Sequence, residues 1–298
     1  MRALVTGGRG FVGRWLASHL EASGDDVVAI DTEVEITDAE AVARAVADAA
    51  PDALYHLAAF SNVGRSWADP ADVLRVNALG TLAVLEAARR LDRFPTVLLV
   101  SSAEVYGAVD ADDLPIGESV DLAPVTPYAA SKVAAEYLGV QAHLAHGLPV
   151  VRVRPFNHIG PGQAPGFVVS ALASRIVDAQ RTGARTIAVG NLAARRDLTD
   201  VRDVVRAYRM LVVDGQPGDA YNLCTGTDVA IEEVARRLID LAGASVELEA
   251  DPDLVRPVDV AVVRGDPSRL KAATGWEAHI DLDKTLTDVL DWWRNSGG

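Results

Sequence analysis

The chain is poor in cysteine, in basic charge and in long apolar runs, and each shortage removes a class of protein. Cys224 is the single cysteine in 298 residues, so no internal disulfide can form. Hydrophobic residues make up 49% of the chain, yet no run approaches the roughly 18 apolar residues a membrane-crossing helix needs. Lys and Arg total 28 against 42 Asp and Glu, a formal charge of −14 that offers no basic face to a phosphate backbone. Neither nucleic acid nor a membrane is an expected partner. The six histidines are scattered without ligand spacing, so no metal site is expected. Repeats, low-complexity tracts and flexible linkers are absent too. Met1-Arg2-Ala3-Leu4-Val5-Thr6 runs straight into a glycine turn and leaves no room for a signal peptide, which makes the cytoplasm the expected location.

What is present is alternation. Ala3–Val5, Val27–Ile30, Ala53–Leu57, Val97–Val100 and Val150–Val153 read as buried strands, with amphipathic helical patterns between them. Strands separated by helices need crossovers, which gives a doubly wound parallel sheet of the Rossmann type. Residues 1–157 are expected to form this dinucleotide-binding domain. After Arg154-Pro155-Phe156 a breaker-rich loop, Asn157 to Gln163, opens a smaller C-terminal α/β lobe over 158–298, with the chain returning to the first domain at 198–225.

Thr6-Gly7-Gly8-Arg9-Gly10-Phe11-Val12-Gly13 sets glycines at 7, 10 and 13, directly after a strand and directly before a helix. The first permits a tight turn, the second lets backbone approach a pyrophosphate, and the third allows close helix–sheet packing. Asp31 ends the second strand 18 positions after Gly13, where a carboxylate hydrogen-bonds adenosine ribose hydroxyls and repels a 2′-phosphate. The link that follows, Thr32 to Ile36, has no Arg or Lys to offset it, so NAD is the expected cofactor.

Tyr128 and Lys132 stand four apart, on one face of a helix, downstream of Ser101-Ser102 at the end of the fourth strand. An ammonium beside a phenol lowers a pKa that is otherwise near ~10. The Tyr-x-x-x-Lys spacing alone arises by chance; its order after the glycine turn and the paired serines points to proton transfer coupled to a dinucleotide.

In this order, Thr6 to Gly13, His56-Leu57-Ala58-Ala59, Asn77 to Thr81, Ser101 to Gly107, Tyr128 to Lys132, Arg154 to Gln163 and Arg196 to Asp203 resemble the extended short-chain dehydrogenase/reductase family. The branch is that of nucleotide-sugar epimerases, dehydratases and reductases. Phe156 to Gln163, Arg196 to Asp203 and Arg256-Pro257 look most like GDP-4-keto-6-deoxymannose reductases and GDP-mannose dehydratases. The resemblance implies that Tyr128 is base or acid at the sugar 4-hydroxyl, Lys132 its support and Ser102 a hydrogen-bonding hydroxyl, with Glu104 beside them. It implies a cofactor held by Gly7, Gly10, Phe11, Val12, Gly13, Asp31, Leu57, Ala58, Ala59, Asn77, Tyr128 and Lys132. Ser102, Ala103, Asn157, Arg196 and Arg256 would hold a nucleotide-diphosphate sugar. It also implies a homodimer, built on helices near 70–91 and 128–146.

Three reactions share a 4-keto sugar. A dehydratase of the dTDP-glucose branch carries an Asp-Glu pair after the catalytic hydroxyl; here the stretch is Ser102-Ala103-Glu104, and Ala103 cannot protonate a leaving hydroxyl. Net reductases often use NADPH, which Asp31 disfavours. Elimination leaves 4-epimerisation of a UDP-glucose or UDP-glucuronate type substrate as the expected reaction, with the reductase and the dehydratase as alternatives. A non-catalytic NAD sensor would not need Tyr128, Lys132 and Ser102.

Overall fold

The computed structural model describes residues 1–254 and 260–295. Among these the strands are β1 Arg2–Thr6, β2 Asp26–Ile30, β3 Ala53–His56, β4 Thr96–Val100, β5 Val150–Pro155, β6 Asn157–Ile159, β7 Thr186–Val189, β8 Arg195–Asp200, β9 Ala220–Leu223, β10 Asp228–Ala230, β11 Glu247–Ala250 and β12 Val262–Val263. The helices are α1 Phe11–Ala22, α2 Ala39–Ala49, α3 Pro70–Leu74, α4 Gly80–Arg89, α5 Pro127–His146, α6 Val168–Thr182, α7 Val201–Asp214, α8 Ile231–Ala242, α9 Ser268–Thr274 and α10 Leu282–Asn295.

Six parallel strands form the main sheet in the order β2-β1-β3-β4-β5-β9. The order reverses between β1 and β3, so the crevice beyond their carboxyl ends is the natural ligand position. Helices cover both faces. Leu16 and Leu20 of α1 and Tyr208 and Leu211 of α7 pack on Val5, Leu98 and Val153 on one face. Val42, Val46 and Val84 of α2 and α4 pack on Leu4, Leu54 and Leu99 on the other. Strands buried on both sides read as continuous apolar runs, which is why they were visible.

Two differences from the sequence reading are physical. Leu270 of α9 and Trp276 join the first core, and the Trp276 ring nitrogen donates to the Asp203 carbonyl at 2.9 Å, so the chain returns to the first domain a second time near 270–276. Leu57 and Cys224 lie just past their strands; Leu57 faces the crevice, and Cys224 is buried with Tyr106, Ile116 and Phe156.

The second lobe builds β10-β8-β12, with β6 also on β8, plus a β11-β7 pair. Its own core lies under α6, α8 and α10, from Leu172 and Ile176 to Val234, Leu238, Leu286 and Leu290. No helix among the described residues is long and apolar enough to cross a membrane.

Candidate active site

The glycine turn is a cradle without room for side chains. Gly7 has φ +71°, and a Cβ there would sit 2.9 Å from the Ala58 nitrogen. A Cβ on Gly13 would lie 2.1 Å from the Gly7 carbonyl oxygen, so α1 can start this close to β1 only with hydrogen at that position. The α1 N-terminus has no side-chain cap and no acidic residue in its first turn. Its first amide donors are therefore directed at whatever anion sits there.

Asp31 follows β2 at the rim. Its carboxylate accepts the Arg9 amide at 2.8 Å and its own neighbour's Thr32 amide at 2.9 Å. The expectation looked for a balancing cation only downstream of Asp31; the fold brings Arg9 from the glycine turn to the same corner. There its guanidinium pairs with Glu33 at 3.1 Å, so the corner keeps its negative balance.

The helix that carries Tyr128 and Lys132, α5, is punctuated locally. The Thr126 hydroxyl accepts the Ala129 amide at 3.0 Å, Pro127 opens the first turn, and Gly147 closes the helix at φ +71°. Tyr128 and Lys132 are 8% and 7% exposed. The Lys132 ammonium donates to the Val100 carbonyl at 2.9 Å and lies 6.0 Å from the Tyr128 ring centre. Burial pushes Tyr128 up to about 12, against the pull of its Ser102 hydrogen bond and with a smaller push from the charge of Glu104. Burial brings Lys132 down to about 8.

Behind the site the polar groups form closed lines. The Ala58 amide donates to the Thr6 hydroxyl at 3.1 Å, which pairs with His56 Nδ1 at 2.9 Å; His56 Nε2 meets the Thr81 hydroxyl at 3.0 Å, and that donates to the Asn77 carbonyl at 2.6 Å. The Thr81 hydroxyl, donating to Asn77, accepts from His56 Nε2; burial, followed by the Lys132 charge, pushes the His56 pKa down to about 3 and keeps the ring neutral. The Asn77 side chain then holds Phe60 through both its amide and carbonyl and donates to Ser131 at 2.8 Å. Asn77, expected at the cofactor, sits instead in the wall, in a one-turn π-helix at Arg75–Leu79. One turn past Lys132, buried Glu136 accepts the Ser101 hydroxyl at 2.7 Å and a two-pronged Arg154 contact at 2.5 and 3.2 Å. Burial raises the Glu136 pKa, but the hydrogen bonds and charges of Arg154, Ser101 and Arg152 outweigh it and hold the group below the carboxylate range.

All this surrounds one cleft of about 700 Å³, in the upper part of the range for ligand sites. Gly7, Gly10, Phe11, Val12, Gly13, Asp31, Leu57, Ala58, Ala59, Ser102, Ala103, Glu104, Tyr128, Lys132 and Asn157 line it. Arg196 does not; its guanidinium donates to the Val260 carbonyl at 2.7 Å, and the strand pairing of β8 fixes it there. Arg256 lies outside the described residues. Sequence reasoning missed Arg9, Asn62, Gln163, Phe167 and Tyr208, which also line the cleft. Gln163 stood in the quoted loop motif; Tyr208 has the spacing of an ordinary core residue and gave no signal. His158 stacks on Phe11 at 6.1 Å and 18°, and its Nδ1 and the Gln163 Oε1 are buried without partners among the described residues. The glycine cradle and the bare helix start fit a dinucleotide. Among the described residues no cluster of metal-ligating side chains occurs.

Phenol, hydroxyl and ammonium at the strand ends of a doubly wound sheet, beside a glycine cradle, define an extended short-chain dehydrogenase/reductase. A sequence profile described as GDP-mannose 4,6 dehydratase matches residues 32–289, and the chain belongs to that family. It is 36% identical over 297 residues to the GDP-6-deoxy-D-mannose reductase of Pseudomonas aeruginosa, covering 99% of this chain and 97% of the relative. It is 31% identical over 317 residues to the UDP-glucose 4-epimerase of Mycolicibacterium smegmatis, covering 99% of each. Among solved structures, RMD from Pseudomonas aeruginosa complexed with NADPH superimposes with a TM-score of 0.92 at 35% identity over the whole of both chains. The chain is thus a nucleotide-sugar-modifying enzyme of this family.

Proposed function

We propose that the protein reduces a nucleotide-diphosphate 4-keto-6-deoxyhexose, of the GDP-4-keto-6-deoxymannose type, at C4. The observation that carries this reading is likeness to a reductase over the whole chain: 36% identity to the GDP-6-deoxy-D-mannose reductase and a TM-score of 0.92 on RMD. A carbonyl that gains hydride needs a proton at its oxygen, and a phenol with a pKa pushed up to about 12 is charged with that proton at neutral pH. Identity to the reductase relative, 36% against 31% for the epimerase, supports the same choice.

When bound, the reduced dinucleotide supplies the hydride. Ser102 donates a hydrogen bond to the C4 oxygen, Tyr128 delivers the proton to that oxygen, and Lys132 stabilises the phenolate left behind. Ala103 cannot protonate a leaving hydroxyl, so elimination across C5 and C6 finds no acid at that position. Asp31 and Glu33 oppose a 2′-phosphate with only Arg9 to offset them, which supports NADH over the NADPH found with RMD. Asn157, on β6 at the cleft edge, holds the sugar nucleotide.

The exposed apolar residues Leu74, Leu79 and Leu82 on the α3–α4 stretch and Tyr137 and Leu144 on α5 support a homodimer through these helices.

The test is transfer of label. With NADH deuterated at the transferred position and GDP-4-keto-6-deoxymannose, the product is expected to carry deuterium at C4 by NMR. Redox-neutral conversion of UDP-glucose to UDP-galactose, with no use of the keto sugar, would favour the epimerase.

A further inference from the structure

Tyr208 is the one tyrosine besides Tyr128 that lines the cleft, and it arrives from the other side of the sheet. Its ring is 1% exposed, packed in the α1–α7 core with Leu98 and Val153, whereas α5, which carries Tyr128, contributes to the opposite core through Ala142. Both rings nevertheless line the same cleft, beside Val100 at the end of β4 and Pro155 at the end of β5. Tyr55, another core tyrosine, has its hydroxyl sealed away from solvent. Tyr208 borders the cleft, and its hydroxyl makes no hydrogen bond among the described residues. A buried ring with an unpartnered hydroxyl at a cleft wall is a polar group kept for a ligand.

We propose that Tyr208 is a cofactor-contacting residue whose hydroxyl hydrogen-bonds the carboxamide of the nicotinamide, opposite the side from which Tyr128 serves the sugar. This rests on the dinucleotide reading above. The hydroxyl is neutral, both donor and acceptor, and so matches an amide better than a phosphate, which draws cations and backbone amides. It springs from the dinucleotide-binding domain, whereas the sugar contact Asn157 belongs to the strand that joins the second lobe. By fixing the ring's rotation it would fix which face is offered to C4.

The test compares NADH with ADP-ribose, which lacks the nicotinamide, by titration calorimetry on wild type and Tyr208→Phe. The variant keeps the ring and hence the core. Expected is a rise in the NADH Kd of about three- to tenfold with the ADP-ribose Kd unchanged. Equal change in both, or change in neither, overturns the assignment; so does an unchanged NADH Kd with a raised sugar KM, which gives the hydroxyl to the substrate. A wild type that binds no NADH removes the dinucleotide reading itself, a failure distinct from a variant indistinguishable from wild type.

Discussion

The two halves of the cleft are built differently. On the cofactor side the walls are backbone: the turn at Gly7, the approach of Gly13 to Gly7, and the bare amides of α1. On the sugar side they are side chains and loops, Asn157, His158, Gln163 and Phe167, carried by a lobe of short strands. Backbone recognition constrains residue type at fixed spacing, since only glycine fits; side-chain recognition leaves the spacing free. The first half can therefore be inherited across reactions while the second changes with the sugar.

The sharpest way to break this division lies where the halves meet. Tyr128→Phe should lower kcat for keto-sugar reduction about 1000-fold while NADH affinity stays within about twofold. Gly13→Ala drives a methyl into the Gly7 carbonyl and should weaken NADH binding about 100-fold, measured by fluorescence titration, with a lowered melting temperature. Asn157→Ala should raise the sugar-nucleotide KM about tenfold and leave the NADH Kd unchanged; movement of both constants would erase the distinction between the halves. Asp31→Ser should narrow the preference for NADH over NADPH about fivefold, in a competition assay.

The reach of the sequence follows the same line. The sheet was readable because its strands are apolar throughout, and the cradle because Gly7 and Gly13 leave no room for a Cβ. Asn77 was misplaced because a motif residue can hold a wall as well as a ligand, and the π-helix that turns it inward has no sequence signal. Arg9 was overlooked because the corner it shares with Asp31 and Glu33 exists only once β1 and β2 are paired. Spacing places Lys132 near Tyr128 but does not reveal that the ammonium also donates to the Val100 carbonyl.

The smallest expected effect concerns pH and the wall. His56 and His158 are held neutral, with pKa values lowered by burial to about 3 and about 4, while the unfolded chain binds a proton on each near ~6.5. Their contribution to stability is complete above pH ~6.5 and is lost as pH falls toward those folded values. Between pH 6.5 and 5, above the carboxylate range, the melting temperature should fall, and His56→Gln should flatten that slope.

The central claim is that Tyr128 gives up a proton while a reduced cofactor is consumed. A single-turnover experiment in weakly buffered solution, following NADH absorbance and a pH dye together, measures both for GDP-4-keto-6-deoxymannose. The account predicts that each sugar reduced consumes one NADH and takes up one proton, with both signals abolished in Tyr128→Phe; sugar turnover with neither signal would contradict it.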